Sequence, residues 1–299
     1  MACSNKTCQN QSNDQAPVNK LGECRSCHDA RMSAIGSNLI QLPHRVIEWF
    51  RQAEQNYGKN CFYSMDLQKI ILEKNAGKLQ ELGLGGMDFK ARIKLANNGK
   101  TDGFLATSKD FALMANERPS VAIRAFINGQ LTVCECECMI KAVFFNSLCD
   151  LVGEDVFDIV FANLRIATGG GVEDAFIDQQ RIKISESDCN AGDWTFVAHT
   201  TESALQFREL AEKKKTGGSA SGWNVICVSG GGALQNTYLG FGLSGGNAAP
   251  KTLQQIKSAM IQECGGDPNS RGWDLYLHFR RRLNANRFLQ WVRNELQII

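Results

Sequence analysis

No stretch of this 299-residue chain approaches the roughly 20 consecutive apolar residues that span a bilayer. A membrane-spanning helix is therefore not expected. An excess of one charge sign is also missing. The chain has 33 basic and 31 acidic residues, a formal charge of +2. That balance offers no footprint for nucleic acid or an anionic membrane. The two dense clusters, Lys213-Lys214-Lys215 and Arg280-Arg281-Arg282, read as solvated helix faces or helix ends. No apolar run follows the opening Met1-Ala2-Cys3-Ser4-Asn5-Lys6. No secretory signal is read there, and a cytoplasmic location is the expectation. The glycine-rich stretches at 169–171, 230–232 and 245–246 lack the lysine and serine of a phosphate-binding loop and read as turns.

What is present is an ordinary globular composition, 43% hydrophobic and 21% charged, with ample material for a core. Cysteine is plentiful, at 12 residues. Without an export signal these read as thiols, metal ligands or catalytic groups rather than a disulfide framework. Four of them, Cys3, Cys8, Cys24 and Cys27, have the spacing C-x4-C, fifteen residues, C-x2-C. That approximates a zinc ribbon, so residues 1–40 are expected to be a polar tail or a small element held by structural zinc. Disorder with free thiols is the competing reading. Cys24-Arg25-Ser26-Cys27-His28 also fits a haem-attachment pattern, which is set aside because attachment needs an exported chain.

Order is expected to begin near Pro43. Val46, Ile47, Phe50 and Ala53 have helical spacing. Leu67, Ile70, Ile71 and Leu79 suggest a second helix, closed by the Gly83-Leu84-Gly85-Gly86 stretch. Phe104 to Thr107 reads as a short strand, and Pro119 as the start of a helix. From about Glu135, the residues Ile140, Val143, Phe144, Ser147, Leu148 and Leu151 form one continuous helical face, which predicts a core helix. Asp155 to Leu164 reads as another. Strands are expected over 193–198, 223–228 and 238–243, with an inserted helix and Gly/Ser linker over 203–222. Two closing helices are expected, at 253–262 and from Trp273 onward. Helices followed by antiparallel strands predict an α+β fold. The domain reading is a Cys-rich element at 1–40 and a catalytic domain at 41–299.

The most unusual segment is Val133-Cys134-Glu135-Cys136-Glu137-Cys138, at the start of that core helix. A thiol in the first turn feels the positive end of the helix dipole, which favours the nucleophilic thiolate. The same residues also suit buried small hydrophobes or soft metal ligands.

Pro119-Ser120-Val121-Ala122-Ile123-Arg124, then Asn128-Gly129, Glu135-Cys136 and Gly153-Glu154-Asp155-Val156-Phe157 resemble consecutive motifs of the small calcium-independent transglutaminases of Bacillus spore coats. Weaker matches continue through Gly192-Asp193-Trp194, Asn224-Val225-Ile226 and Gly240-Phe241-Gly242-Leu243. The resemblance covers roughly residues 60–299. It implies a papain-like (NlpC/P60-type) core and a cysteine transferase that joins glutamine to lysine side chains of protein substrates, or deamidates glutamine, without calcium or another catalytic cofactor. It selects Cys136 as nucleophile and Glu135 as the auxiliary carboxylate. Glu135 also reads simply as an acid favoured by the helix dipole.

Two positions depart from the family pattern. Trp223 stands where the family has a second glutamate, and Leu239 where it has a histidine. His199 is the candidate substitute proton shuttle; an ordinary surface or core-edge histidine is the alternative. These departures also support the reading of a catalytically degenerate relative with a binding or structural role.

Overall fold

The computed structural model describes residues 18–63, 103–106, 110–129, 132–181, 184–200, 222–229, 235–243, 247–263, 266–269 and 274–297. The expected helix at 67–79, the 83–86 turn and the inserted 203–215 helix lie outside the described residues, as do Cys3 and Cys8.

The chain enters through α1 (Arg25–Asn38) and, after a short 3-10 turn, α2 (Leu42–Gln55). Order thus starts before the expected Pro43. Met32, Ile35 and Leu39 recur at helical spacing and lie in the same core as Val46 and Phe50 of α2. The polar residues between them concealed this stripe from a compositional reading. α3 (Pro119–Asn128) has Pro119 at its first position, where the missing N–H costs nothing. The centre of the molecule is α4 (Cys136–Val152), in which 14 of the 17 residues are buried. The sequence suggested one apolar face, but the helix is covered nearly all round. α2, α3, α5 (Glu154–Val160) and the main sheet surround it. Its buried polar residues bond back to the backbone: Asn146 donates to the Ile123 and Ala142 carbonyls, and Ser147 to the Val143 carbonyl. Gly153 ends the helix at φ +88°, a conformation glycine adopts without penalty.

The main sheet has six strands in the order β10-β9-β8-β7-β11-β6, every neighbouring pair antiparallel. They are β6 (Ile177–Arg181), β7 (Trp194–His199), β8 (Gly222–Ser229), β9 (Thr237–Leu239), β10 (Lys251–Thr252) and β11 (Leu275–Leu283). α6 (Leu253–Glu263) and α7 (Ala285–Leu296) follow β10 and β11. The helix expected from Trp273 onward is a strand first and a helix only after Asn284. Leu275 and Leu277 alternate on the face of Val197, a bulge between Leu277 and Phe279 shifts the register, and Phe279 and the buried Arg281 then share the face of Phe196 and Trp194. Three consecutive arginines therefore masked a strand rather than marking a helix end. The strand expected at 238–243 stops at Leu239, because residues 240–243 turn away. A second, three-stranded sheet joins β2 (Phe104–Ala106), β3 (Asp110–Leu113) and β5 (Arg165–Ala167). A parallel pair, β1 (Cys61–Tyr63) and β4 (Thr132–Cys134), sets Tyr63 opposite Cys134, immediately before the core helix.

None of the nine described cysteines is in a disulfide. Among the described residues no helix is long and apolar enough to cross a membrane.

Candidate active site

Strand β4 delivers the chain directly into α4, so Glu135 becomes the N-cap residue and Cys136 the first helical residue. Glu135 makes no capping bond from its side chain. The β1–β4 register places Tyr63 alongside, and the Glu135 carboxylate helps to raise its phenol. The acid in the first turn, the position the dipole favours, is Glu137.

The Cys136 thiol is buried, at 7% exposure. Across from it, on β8, the Asn224 side-chain nitrogen lies 3.4 Å from the sulfur. The Trp194 indole on β7 donates to the oxygen of the same amide at 2.8 Å. Asn224 pairs with Phe196 and Ile226 with Trp194 across the two strands, so all four side chains share the face turned toward α4. Burial pushes the Cys136 thiol up to about 11; the Asn224 amide and backbone N–H pull it down, and Glu135 and Glu137 push it up. Tyr63 is also held well above the ordinary phenol range, first by burial and then by the neighbouring Cys136 and Glu135.

The neighbouring thiols differ from Cys136. Cys134 ends strand β4 and Cys138 sits two residues beyond Cys136 in the helix, both with no exposure at all. Burial raises both well above the ordinary thiol value.

Behind Trp194 the packing is electrostatic. Arg281 lies 4.3 Å over the indole ring, and its guanidinium is 3.7 Å from the Glu137 carboxylate. Glu137 also accepts from the Gly169 N–H at 3.0 Å. One helical turn on, the fully buried Lys141 pairs with the fully buried Glu173 at 2.7 Å. Its remaining protons go to the Ala167 carbonyl at 2.6 Å and to the Gly169 carbonyl.

The two positions that depart from the family pattern are built into apolar surroundings. Trp223 donates its indole N–H to the Phe241 carbonyl at 3.1 Å and packs 5.1 Å from the Tyr63 ring. Leu239 is fully buried and pairs with Ile226. The turn beyond it is held from below: Gly242 donates to the buried Glu54 carboxylate at 2.8 Å. At φ +82°, with the Tyr57 hydroxyl 3.1 Å from where a Cβ would stand, a side chain at position 242 would be strained.

His199 does not join this group. It stands three residues beyond Phe196 on β7, roughly 10 Å along the strand. Strand alternation turns it to the opposite face from Trp194 and Asn224. Burial also lowers its imidazole to about 4, which makes it a weak base at neutral pH. Of the four cysteines at the N-terminus, Cys24 is buried at the start of α1, 3.2 Å from the Ser26 hydroxyl, and Cys27 lies in the first turn.

Similarity to known proteins now bears on the site. No protein-family model matches the sequence. No curated protein matches it either. Among solved structures, a transglutaminase from Geobacillus stearothermophilus, without its C-terminal extension, superposes with a TM-score of 0.52 over 86% of this chain and 96% of that one. The chain folds like a transglutaminase. Identity with that enzyme is 15%, so the shared architecture is an α+β, papain-like one in which a helix meets an antiparallel sheet. On this transglutaminase-like frame, Cys136 opens the central helix and faces the sheet through Asn224.

Three residues of this cluster escaped assignment from sequence. Asn224 and Trp194 stood in quoted motifs but only as register marks. A polar residue opening the apolar run Val225-Ile226-Cys227 is a legible signal that something polar must face it. Tyr63 carried no such signal, because its place depends on pairing with a strand some seventy residues away.

Proposed function

We propose that this protein is a transglutaminase-like acyltransferase in which Cys136 attacks the carboxamide of a protein glutamine side chain. The observation that supports it best is the placement of a buried thiol at the first residue of the central helix of a transglutaminase-like fold, facing a polar donor on the sheet. The thiol is neutral at rest, since about 11 leaves roughly one molecule in ten thousand as thiolate at pH 7. Its proton must therefore leave as the bond to substrate forms. Glu135, adjacent and uncommitted to capping, takes that proton. As the tetrahedral adduct collapses, Glu135 returns the proton to the leaving nitrogen, and ammonia departs, leaving a thioester on Cys136. A lysine amine then attacks the thioester carbon. Glu135 removes its proton, and the Cys136 thiolate leaves and is reprotonated. The net reaction exchanges ammonia for an isopeptide bond; water in place of lysine gives glutamate. The partners are protein surfaces that present glutamine and lysine, and no metal enters these steps.

A second reading keeps the fold and drops the chemistry. Trp223 and Leu239 are packed into apolar contacts where the resemblance implies a glutamate and a histidine. A binding protein with a degenerate site would look the same at those two positions. Incubating the purified protein with a glutamine-bearing protein and a labelled primary amine separates the two. The enzyme incorporates label and releases ammonia; the degenerate protein does neither.

A further inference from the structure

We propose that Asn224 stabilises the Cys136 thiolate by direct hydrogen bonding, and that Trp194 is the positioning residue that fixes the Asn224 amide in the orientation this needs. The proposal rests on Cys136 as the reacting thiol and goes beyond the acyl-transfer reading in naming what carries the sulfur's charge.

An asparagine amide has a donor end and an acceptor end, and can present either to the sulfur. An indole N–H can only donate. Trp194 donates at 2.8 Å to one end, which must then be the oxygen. The NH2 group is thereby turned to the sulfur, 3.4 Å away. The backbone N–H of Asn224 acts on the same sulfur in the same direction. The side-chain donor is thus aimed at the atom that becomes negative.

Trp194 has little freedom to release the amide. It is 4% exposed and covered by the Arg281 guanidinium at 4.3 Å, which Glu137 holds from the other side. The neighbours that titrate near Cys136 are Glu135, Glu137, Tyr63, Cys134 and Cys138. The two carboxylates oppose a thiolate there, and Asn224 favours one. Asn224 is itself 6% exposed, flanked in its strand by the buried Trp223, Val225, Ile226 and Cys227. A buried amide in that setting is costly unless its polar atoms are used, and both ends are used. A donor fixed in advance where charge develops acts without reorganising during the reaction. Unlike a carboxylate, the amide cannot take the proton, so proton transfer and charge stabilisation fall to separate residues, Glu135 and Asn224.

The test is the pH dependence of alkylation of Cys136 by iodoacetamide in the full chain, read at that cysteine by peptide mass. Wild type is compared with Asn224→Leu, Asn224→Asp and Trp194→Phe, alongside amine incorporation. Asn224→Leu is expected to slow alkylation at pH 9 about tenfold and move its midpoint upward, since tenfold corresponds to one pH unit. Asn224→Asp should slow it further by facing the sulfur with a negative charge. Trp194→Phe keeps the ring under Arg281 and removes only the N–H; it should slow alkylation by a smaller factor while the protein melts as a folded chain. If wild type incorporates no amine but the alkylation rates separate in this order, the acyl-transfer reading falls and the Asn224 assignment stands. Wild-type alkylation profiles in Asn224→Leu and Trp194→Phe, or faster alkylation in Asn224→Asp, would overturn it.

Discussion

At Cys136 two effects oppose each other. The helix dipole favours an anion at the first turn by about 0.3–1 kcal/mol, rising to about 2 in partly buried sites. Burial costs more, and the thiol ends at about 11. A sulfur of this kind needs a local base and a fixed donor to react, which is why Glu135 and Asn224 belong to the same description as Cys136. Cys134 and Cys138 have the same chemistry but no exposure. Cys134→Ala and Cys138→Ala are expected to keep amine incorporation and to lose about 1–2 kcal/mol of stability in denaturant titrations, as small core truncations do. Loss of activity in either, with the fold intact, would move the nucleophile away from Cys136. A second residue-scale prediction concerns Glu54, fully buried under Gly242 and raised by burial to about 7. A carboxyl raised in the folded state is held by folding in its protonated form. Its contribution is therefore complete below about 4.5 and is lost as pH rises through about 7. The loss is on the order of 3 kcal/mol. Glu54→Gln keeps an acceptor for Gly242 and does not ionise. Its melting temperature should match or trail wild type at pH 5 and exceed it by several degrees at pH 8. Parallel curves for the two proteins across that range would refute the assignment.

At the scale of elements, the helix that Cys136 opens is tied to a loop that carries no catalytic candidate. Lys141 and Glu137 on α4 hold Ala167, Gly169 and Glu173, with the Lys141–Glu173 pair fully buried and Glu137 partly exposed. Removing one member of a buried ion pair strands the other and typically costs about 3–5 kcal/mol. Lys141→Met is expected to lose that much in urea unfolding. The double variant Lys141→Met with Glu173→Leu should recover most of it, since apolar replacement of both partners leaves no orphan charge. A loss below 1 kcal/mol for the single variant would show that the pair is solvated. Strands β7 and β8 make another prediction. Their register sets Ala198 opposite Gly222, so the ends of the intervening segment already lie side by side. Antiparallel neighbours need only a few residues between them. Replacing residues 203–221 with a short Gly-Ser loop should leave a single cooperative thermal transition; an insoluble or non-cooperative product would show that the segment contributes to the core.

For the whole molecule, what could be read from sequence was what is local. The helix from Cys136, the glycine that ends it and the proline that starts α3 each follow from spacing within one segment. The order of motifs from Pro119 to Leu243 was enough to expect the transglutaminase-like fold, which the solved Geobacillus enzyme shares at 15% identity. What was not legible depends on contacts across the chain. Met32 and Ile35 of α1 look like scattered apolar residues until α4 and α7 cover them. Arg281 looks like a solvent charge until Trp194 and Glu137 enclose it. Asn224 and Cys136 are 88 residues apart, and no local pattern joins them. The candidate site is therefore legible as a thiol opening a helix beside an acid, and illegible as a cluster.

The central claim, that Cys136 carries acyl transfer on glutamine, is tested most directly by measuring ammonia release and labelled-amine incorporation on a glutamine-bearing protein with wild type and Cys136→Ala. The variant removes only a small side chain and should stay folded, losing no more than the ~1–2 kcal/mol of a small core truncation. The expected result is label and ammonia from wild type and neither from folded Cys136→Ala. Equal incorporation by the two proteins, or none by wild type on any glutamine-rich substrate, would contradict it.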